Sequence, residues 1–255
     1  MSKILAGKLA LVTGGSRNIG RETALALADL GADIVFTYVR NEGAAQQTRA
    51  ELEARGVKAT SLRVDLEGTA GLEAFSAAFT DTLKAWRRER FDILVNNAGT
   101  LRLGTFDKIS EQDLDAIYQT NYKSVFFLTQ RLLPLLADGG RVVNLGSGTA
   151  RIAFGPLVSY GPMKAALQSL TLYLANFLGP RGITVNAVAP GGLDDDVNAP
   201  LFAALPSSRG FIGSNTAVGR LGRPNDVASV IAFLCTPAAA FVSGSIVNIE
   251  GGYHL

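Results

Sequence analysis

Cysteine and histidine are almost missing from this 255-residue chain, each occurring once, as Cys235 and His254. One thiol cannot close an intrachain disulfide, and one thiol with one imidazole cannot build a zinc site, so no metal centre of that kind is expected. His254 reads as an ordinary terminal residue rather than a catalytic one. Missing too is any block of like charge: 24 basic and 22 acidic residues are spread along the chain and leave a formal charge of +2. A polyanion would find no patch to hold, and no nucleic acid partner is expected. No apolar run approaches the ~18 residues of a membrane span, so the chain reads as soluble, cytoplasmic and without membrane partners. Repeats, low-complexity tracts and interdomain linkers are absent as well.

Hydrophobic residues are plentiful, at 47% of the chain, enough for a large core in a single domain spanning 1–255. Short runs rich in Val and Ile recur at Leu9–Thr13, Ile34–Tyr38, Ala59–Val64, Ile93–Asn96, Arg141–Leu145, Thr184–Val188 and Ser245–Ile249. These predict seven strands. Between them, stretches such as Ile19–Leu30, Ala44–Arg55 and Leu72–Arg88 place apolar residues at helical spacing. Continuous apolar strands alternating with helices imply an α/β, doubly wound parallel sheet with helices on both faces and right-handed crossovers. Ligands of such sheets bind beyond the carboxyl ends of the strands. One stretch breaks the rhythm. Residues 191–222 hold glycines, prolines and the acids Asp194, Asp195 and Asp196 without a clear period, and predict a substrate loop.

After the first strand the chain reads Thr13-Gly14-Gly15-Ser16-Arg17-Asn18-Ile19-Gly20 and then enters a helix. Backbone amides and a helix N-terminus there can face a pyrophosphate. The turn is not G-x-G-x-x-G; it resembles the T-G-x-x-x-G-x-G turn of short-chain dehydrogenases, with Asn18 at the middle glycine. Asn is the side chain that best tolerates positive φ, so the turn can persist. At the end of the second strand, Phe36-Thr37-Tyr38-Val39-Arg40 contains no acid to accept from a ribose 2′-hydroxyl. Arg40 and Arg17 instead suit a 2′-phosphate, favouring NADP(H) over NAD(H).

Tyr160 and Lys164 stand four residues apart in the predicted helix Ser159–Leu178, on one face. Bringing a phenol from a pKa near 10 to about 7 takes roughly 4 kcal/mol, and a cation at about 5 Å supplies roughly 3 kcal/mol at an effective dielectric near 20. Ser147 follows the fifth strand, where its hydroxyl can hold a carbonyl oxygen. With Asn121, with Asn96-Asn97-Ala98-Gly99 after the fourth strand and with Pro190-Gly191 after the sixth, the chain resembles the short-chain dehydrogenase/reductase family over nearly its whole length. That resemblance implies a Rossmann domain and a reversible reduction of a small-molecule ketone to a secondary alcohol. It makes Tyr160 the general acid or base, has Lys164 lower the Tyr160 pKa and hold the nicotinamide ribose, has Ser147 orient substrate, and has Asn121 support a proton-relaying water. It also implies that Asp65 and Leu66 border the adenine and that Asn97, Ala98 and Gly99, with Gly14, Ser16, Ile19, Gly20, Pro190 and Gly191, line the cofactor.

Where the family often has a threonine four residues beyond the Pro-Gly glycine, this chain has Asp195. Its acids read as solvated loop residues, a helix cap or a group facing substrate. Leu201, Phe202, Phe211 and Ile212 offer an apolar lid over a hydrophobic ketone. A 3-oxoacyl-acyl-carrier-protein reductase, the runner-up, would need a basic docking surface, which Ala175-Asn176-Phe177 and Leu135-Leu136-Ala137-Asp138 before the fifth strand do not supply. A catalytically silent NADP-binding sensor or scaffold is a further alternative, opposed by the intact catalytic set; an enoyl reductase would use a wider Tyr-to-Lys spacing. The helix of Tyr160 and the segment Val125–Leu136 are apolar around much of their circumference and predict a homodimer or homotetramer, with the tail 251–255 a candidate for a second contact.

Overall fold

The computed structural model describes residues 3–253, so His254 lies outside the described residues. In chain order the elements are β1 (Leu9–Val12), α1 (Asn18–Asp29), β2 (Asp33–Tyr38), α2 (Glu42–Glu53), β3 (Ala59–Arg63), α3 (Leu72–Ala85), β4 (Phe91–Asn96), α4 (Glu111–Tyr118), α5 (Ser124–Leu132), β5 (Leu136–Leu145), α6 (Tyr160–Leu178), β6 (Thr184–Pro190), α7 (Ala199–Ala204), α8 (Pro206–Ser214), α9 (Pro224–Leu234) and β7 (Ile246–Ile249). All seven strands run parallel in the order β3-β2-β1-β4-β5-β6-β7. The order reverses between β1 and β4, which opens a crevice beyond their carboxyl ends.

β1 is buried on both faces, as its uninterrupted apolar sequence requires. Leu9 and Leu11 join Phe79, Phe91 and Leu128 on one side of the sheet. Ala10 and Val12 join Phe36, Leu27 and Ile231 on the other. Hydrophobic contact on both faces is what holds the sheet, since a parallel strand has no solvent face to spare. The helices covering it start on recognisable signals: the Asn41 side chain accepts from Ala44 N at 2.9 Å ahead of α2, and Ser110 accepts from Asp113 N at 3.1 Å ahead of α4. A buried polar chain crosses the core, with Asn96 Nδ2 donating to Asn144 Oδ1 (2.9 Å) and Asn144 Nδ2 donating to Thr171 Oγ1 (3.0 Å). It ties β4, β5 and α6 together in one register.

Three boundaries differ from expectation. Leu136, Ala137 and Asp138 belong to β5 rather than preceding it, because Leu136 pairs with Phe91 across a register shift that absorbs the extra residues before Arg141. The third helix stops at Ala85 rather than running to Arg88, since Arg87 takes φ +55 and leaves the helix. Residues 191–222 are not an irregular loop: Pro200 and Pro206 sit in the first turns of α7 and α8, where the missing amide costs nothing. Among the described residues no helix is long and apolar enough to cross a membrane, and no cluster of three His, Cys, Asp or Glu side chains could hold a metal.

Candidate active site

Between β1 and α1 the chain must turn sharply, and Gly14 (φ +66) and Asn18 (φ +49) both adopt the left-handed conformation that does it. Asn18 therefore serves where the family has glycine. Arg17 precedes α1 without a capping hydrogen bond from its side chain, and no acid occupies the first turn. The leading amides and the positive end of the helix are left for an anion. A Cβ on Gly20 would stand 2.2 Å from the Gly14 carbonyl oxygen and 2.5 Å from Asn97 Nδ2, so only glycine fits. Asn97 Nδ2 donates to the carbonyls of Thr13 (2.8 Å) and Gly14 (3.1 Å), while Thr13 Oγ1 accepts from the amides of Asn97 (3.0 Å) and Ala98 (2.9 Å). These bonds weld the segment after β4 to the turn after β1. Such a cradle of close backbone, free amides and small residues fits a dinucleotide pyrophosphate. Thr13, and Thr37 whose Oγ1 accepts from Gly14 N at 3.0 Å, went unnoticed in the sequence because a threonine in a strand carries no signal beyond strand propensity.

One cleft of about 640 Å³ runs over these carboxyl ends. It is lined by Gly14, Ser16, Arg17, Asn18, Ile19, Gly20, Arg40, Asp65, Leu66, Asn97, Ala98, Gly99, Ser147, Tyr160, Lys164, Pro190 and Gly191, which is every expected site residue except Asn121. Asn121 sits in a π-helical turn (Gln119–Lys123) between α4 and α5, fully buried. Its Nδ2 donates to the Thr100 carbonyl (2.9 Å) and its Oδ1 accepts from the Thr100 amide (3.2 Å). The widened turn aims the side chain at backbone, so Asn121 braces the Gly99–Thr100 wall. At the opposite end Arg17 and Arg40 are exposed, and among the described residues neither has a carboxylate partner.

Tyr160 opens α6 and Lys164 follows one turn later, with its Nζ 5.5 Å from the Tyr160 ring centroid and donating to the Leu145 carbonyl at 2.6 Å. Lys164 is only 2% exposed, and burial pushes its ammonium down to about 8. The Ser147 hydroxyl shares a 2.8 Å hydrogen bond with Thr149 Oγ1, and Gln168 Nε2 donates to the Ser147 carbonyl at 3.0 Å, which fixes the start of this loop against α6. Desolvation, and after it the negative charge of Asp195, raise the Tyr160 phenol well above its ordinary range, with Ser147 opposing. Lys164 is not among the groups setting this shift; its ammonium is engaged by the Leu145 carbonyl and is itself disfavoured by burial. The Tyr160 phenol keeps its proton through the neutral range, and Lys164 is a cation below about pH 8.

The acids of the following loop have separate fates. Asp194 pairs with Arg209, Asp196 is exposed to solvent, and Asp195 lines the cleft while accepting from Asn198 N and Asn198 Nδ2, both at 2.9 Å. Leu201, Phe202 and Ile212 line the cleft, whereas Phe211 does not and is half exposed. Ser208 and Ile212 are buried one turn apart on α8, and this turns Phe211 outward. The sequence reading missed Thr100, Arg102, Thr149, Phe154, Glu250 and Tyr253, which complete the walls from irregular connections and the chain end, where periodicity offers no guide.

The family model described as enoyl-(acyl carrier protein) reductase matches residues 14–254. The rhamnolipids biosynthesis 3-oxoacyl-[acyl-carrier-protein] reductase of Pseudomonas aeruginosa is 36% identical over 98% of each chain. A hydroxynaphthalene reductase-like protein of Metarhizium brunneum is 33% identical over 97% of this chain and 95% of its own. The structure of the angucycline C-6 ketoreductase LanV with bound NADP has a TM-score of 0.93 at 34% identity, covering 99% of this chain and 98% of that one. The chain belongs to the short-chain dehydrogenase/reductase family of oxidoreductases.

Proposed function

We propose that this protein is an NADP(H)-dependent carbonyl reductase that converts a hydrophobic ketone to a secondary alcohol, reversibly, with Tyr160 as the general acid. The observation that carries the reading is the convergence of Tyr160, Ser147 and Lys164 in one cleft with the glycine turn and two arginines that have no carboxylate partner among the described residues. When bound, the reduced dinucleotide supplies the hydride. Gly14, Asn18 and the first amides of α1 hold its pyrophosphate, Arg17 and Arg40 take the 2′-phosphate, and Lys164 holds the nicotinamide ribose. Ser147 donates a hydrogen bond to the substrate carbonyl oxygen, and Tyr160 gives that oxygen its phenolic proton. Leu201, Phe202 and Ile212 exclude water from the reacting atoms and favour an apolar substrate. The NADP held by the LanV ketoreductase supports the cofactor assignment. A buried, unpaired Cys235 suits a cytoplasmic protein. Exposed aromatic residues on α5 and α6 suit self-association through those helices.

The Pseudomonas relative favours a second reading, reduction of a 3-oxoacyl group on acyl carrier protein. One experiment separates the possibilities: NADPH or NADH oxidation is followed with aryl ketones, diketones, 3-oxoesters, an enone and a 3-oxoacyl thioester. Turnover of simple ketones with NADPH, lost in Tyr160→Phe while NADPH still binds, is the expected result. Activity confined to the thioester establishes the second reading, saturation of the enone alone an enoyl reductase. Tight NADPH binding without any turnover indicates a silent sensor.

A further inference from the structure

Four carboxylates line the cleft, those of Asp65, Glu67, Asp195 and Glu250. Glu250 is paired with Arg151, and Asp65 accepts from the Glu67 amide at 2.9 Å near the adenine end of the site. Asp195 differs from them. It follows Pro190-Gly191, lies close enough for its charge to act on the Tyr160 phenol, and among the described residues has no ion pair. The segment carrying it is held firmly: Gly191 N donates to Ile249 O (3.0 Å), Gly222 N to Gly192 O (3.0 Å) and Asp194 N to Gly222 O (2.9 Å), and Leu193 is buried. Asn198 then clamps Asp195 Oδ1 through two donors. A half-buried carboxylate is thereby fixed in position, with desolvation raising its own pKa and no cation to neutralise it.

We propose that Asp195 is a positioning residue whose fixed negative charge makes the cleft bind the oxidised, cationic nicotinamide dinucleotide in preference to the reduced, neutral one. The inference rests on the NADP(H) reading above. It follows from which group changes charge. The two cofactor forms carry identical phosphates and differ by one positive charge on the nicotinamide ring, which must lie beside Tyr160 for a proton and a hydride to reach the same carbonyl. A carboxylate there attracts the charged ring and leaves the neutral one unaffected, and it also opposes ionisation of the Tyr160 phenol. The other groups placed against that phenol are Lys164 from α6 and the Ser147 hydroxyl after β5; Arg102, after β4, also lines the cleft and lies near Asp113. Arg17 and Arg40 lie at the far, adenine end and act on both forms alike.

The test compares wild type with Asp195→Asn, which keeps an oxygen acceptor for Asn198, and with Asp195→Thr as a second neutral variant in case the first folds poorly. NADPH affinity is read from its fluorescence and NADP⁺ affinity by calorimetry. Both neutral variants should lose preference for NADP⁺ over NADPH by on the order of tenfold, and should ionise Tyr160 at lower pH in the cofactor-free protein. Asp194→Asn, at an ion pair away from the site, should leave the ratio unchanged. Equal weakening of both forms, the result of a merely structural turn, overturns the inference while leaving the NADP(H) reading intact. Failure of wild type to bind either form overturns both.

Discussion

At the scale of single residues, the site depends on what burial does to two ionisable groups. Lys164 has its ammonium pushed down to about 8 because the sheet and α6 leave it little water. Below that pH it is a cation able to hold a ribose and an anionic dinucleotide; above it the charge is lost. Affinity for NADP(H) should therefore be level on the acid side of pH 8 and weaken by up to tenfold per pH unit above it, as the Lys164 charge is lost. Fluorescence titration from pH 6.5 to about 10 checks this, and Lys164→Met should bind weakly with no such slope. Tyr160 contributes the opposite property. Its raised pKa keeps the phenol protonated, and any ionisation below neutral pH in the cofactor-free protein would contradict that.

At the scale of elements, the turn from β1 into α1 and the segment after β4 act as one unit. Gly20 is wedged against the Gly14 carbonyl, and both neighbours are backbone or pinned amide, so neither can give way. Gly20→Ala should lower stability by about 1–3 kcal/mol, a fall in Tm of roughly 2–10 °C for a domain of this size, and should abolish NADP(H) binding. Gly210 in α8 makes the contrast, since a Cβ there meets nothing within 4 Å. Gly210→Ala should be neutral or raise stability by up to about 1 kcal/mol through the unfolded chain's lost freedom. Thermal melts of the two variants separate a packing requirement from a general effect of adding a methyl group.

At the scale of the whole molecule, the sheet buries its own two faces but leaves aromatic surface on the outer sides of α5 and α6. Tyr173 and Phe177 are 73% and 68% exposed, and Phe126, Phe127 and Leu172 add to the same kind of surface. Water contact for this much apolar area is unfavourable by about 25 cal/mol per Å², which a second copy of the chain would relieve. Sedimentation at micromolar concentration should show a dimer or tetramer, and Tyr173→Asp with Phe177→Asp should shift it to a smaller species while the fold, read by circular dichroism, persists. A wild-type monomer would remove self-association from the account.

Much of this protein could be read along the chain alone. Seven strands, the helices between them and the pairing of Tyr160 with Lys164 rest on periodicity and on i to i+4 geometry, both of which are local and need no knowledge of neighbours. The glycine turn was readable for the same reason, and Asn18 at φ +49 behaves as a short polar side chain allows. Other features belong to tertiary structure. Thr13 bonds the amide of Asn97, 84 residues away, and Asn121 turns its amide to Thr100. Ile212 faces in where Phe211 faces out, and Asp195 rather than Asp194 or Asp196 lines the cleft. The direction of the Tyr160 shift had the same origin: Lys164 was visible in the sequence, but desolvation and the Asp195 charge were not. Burial and field depend on every element packed around a group, and no spacing within the chain encodes them.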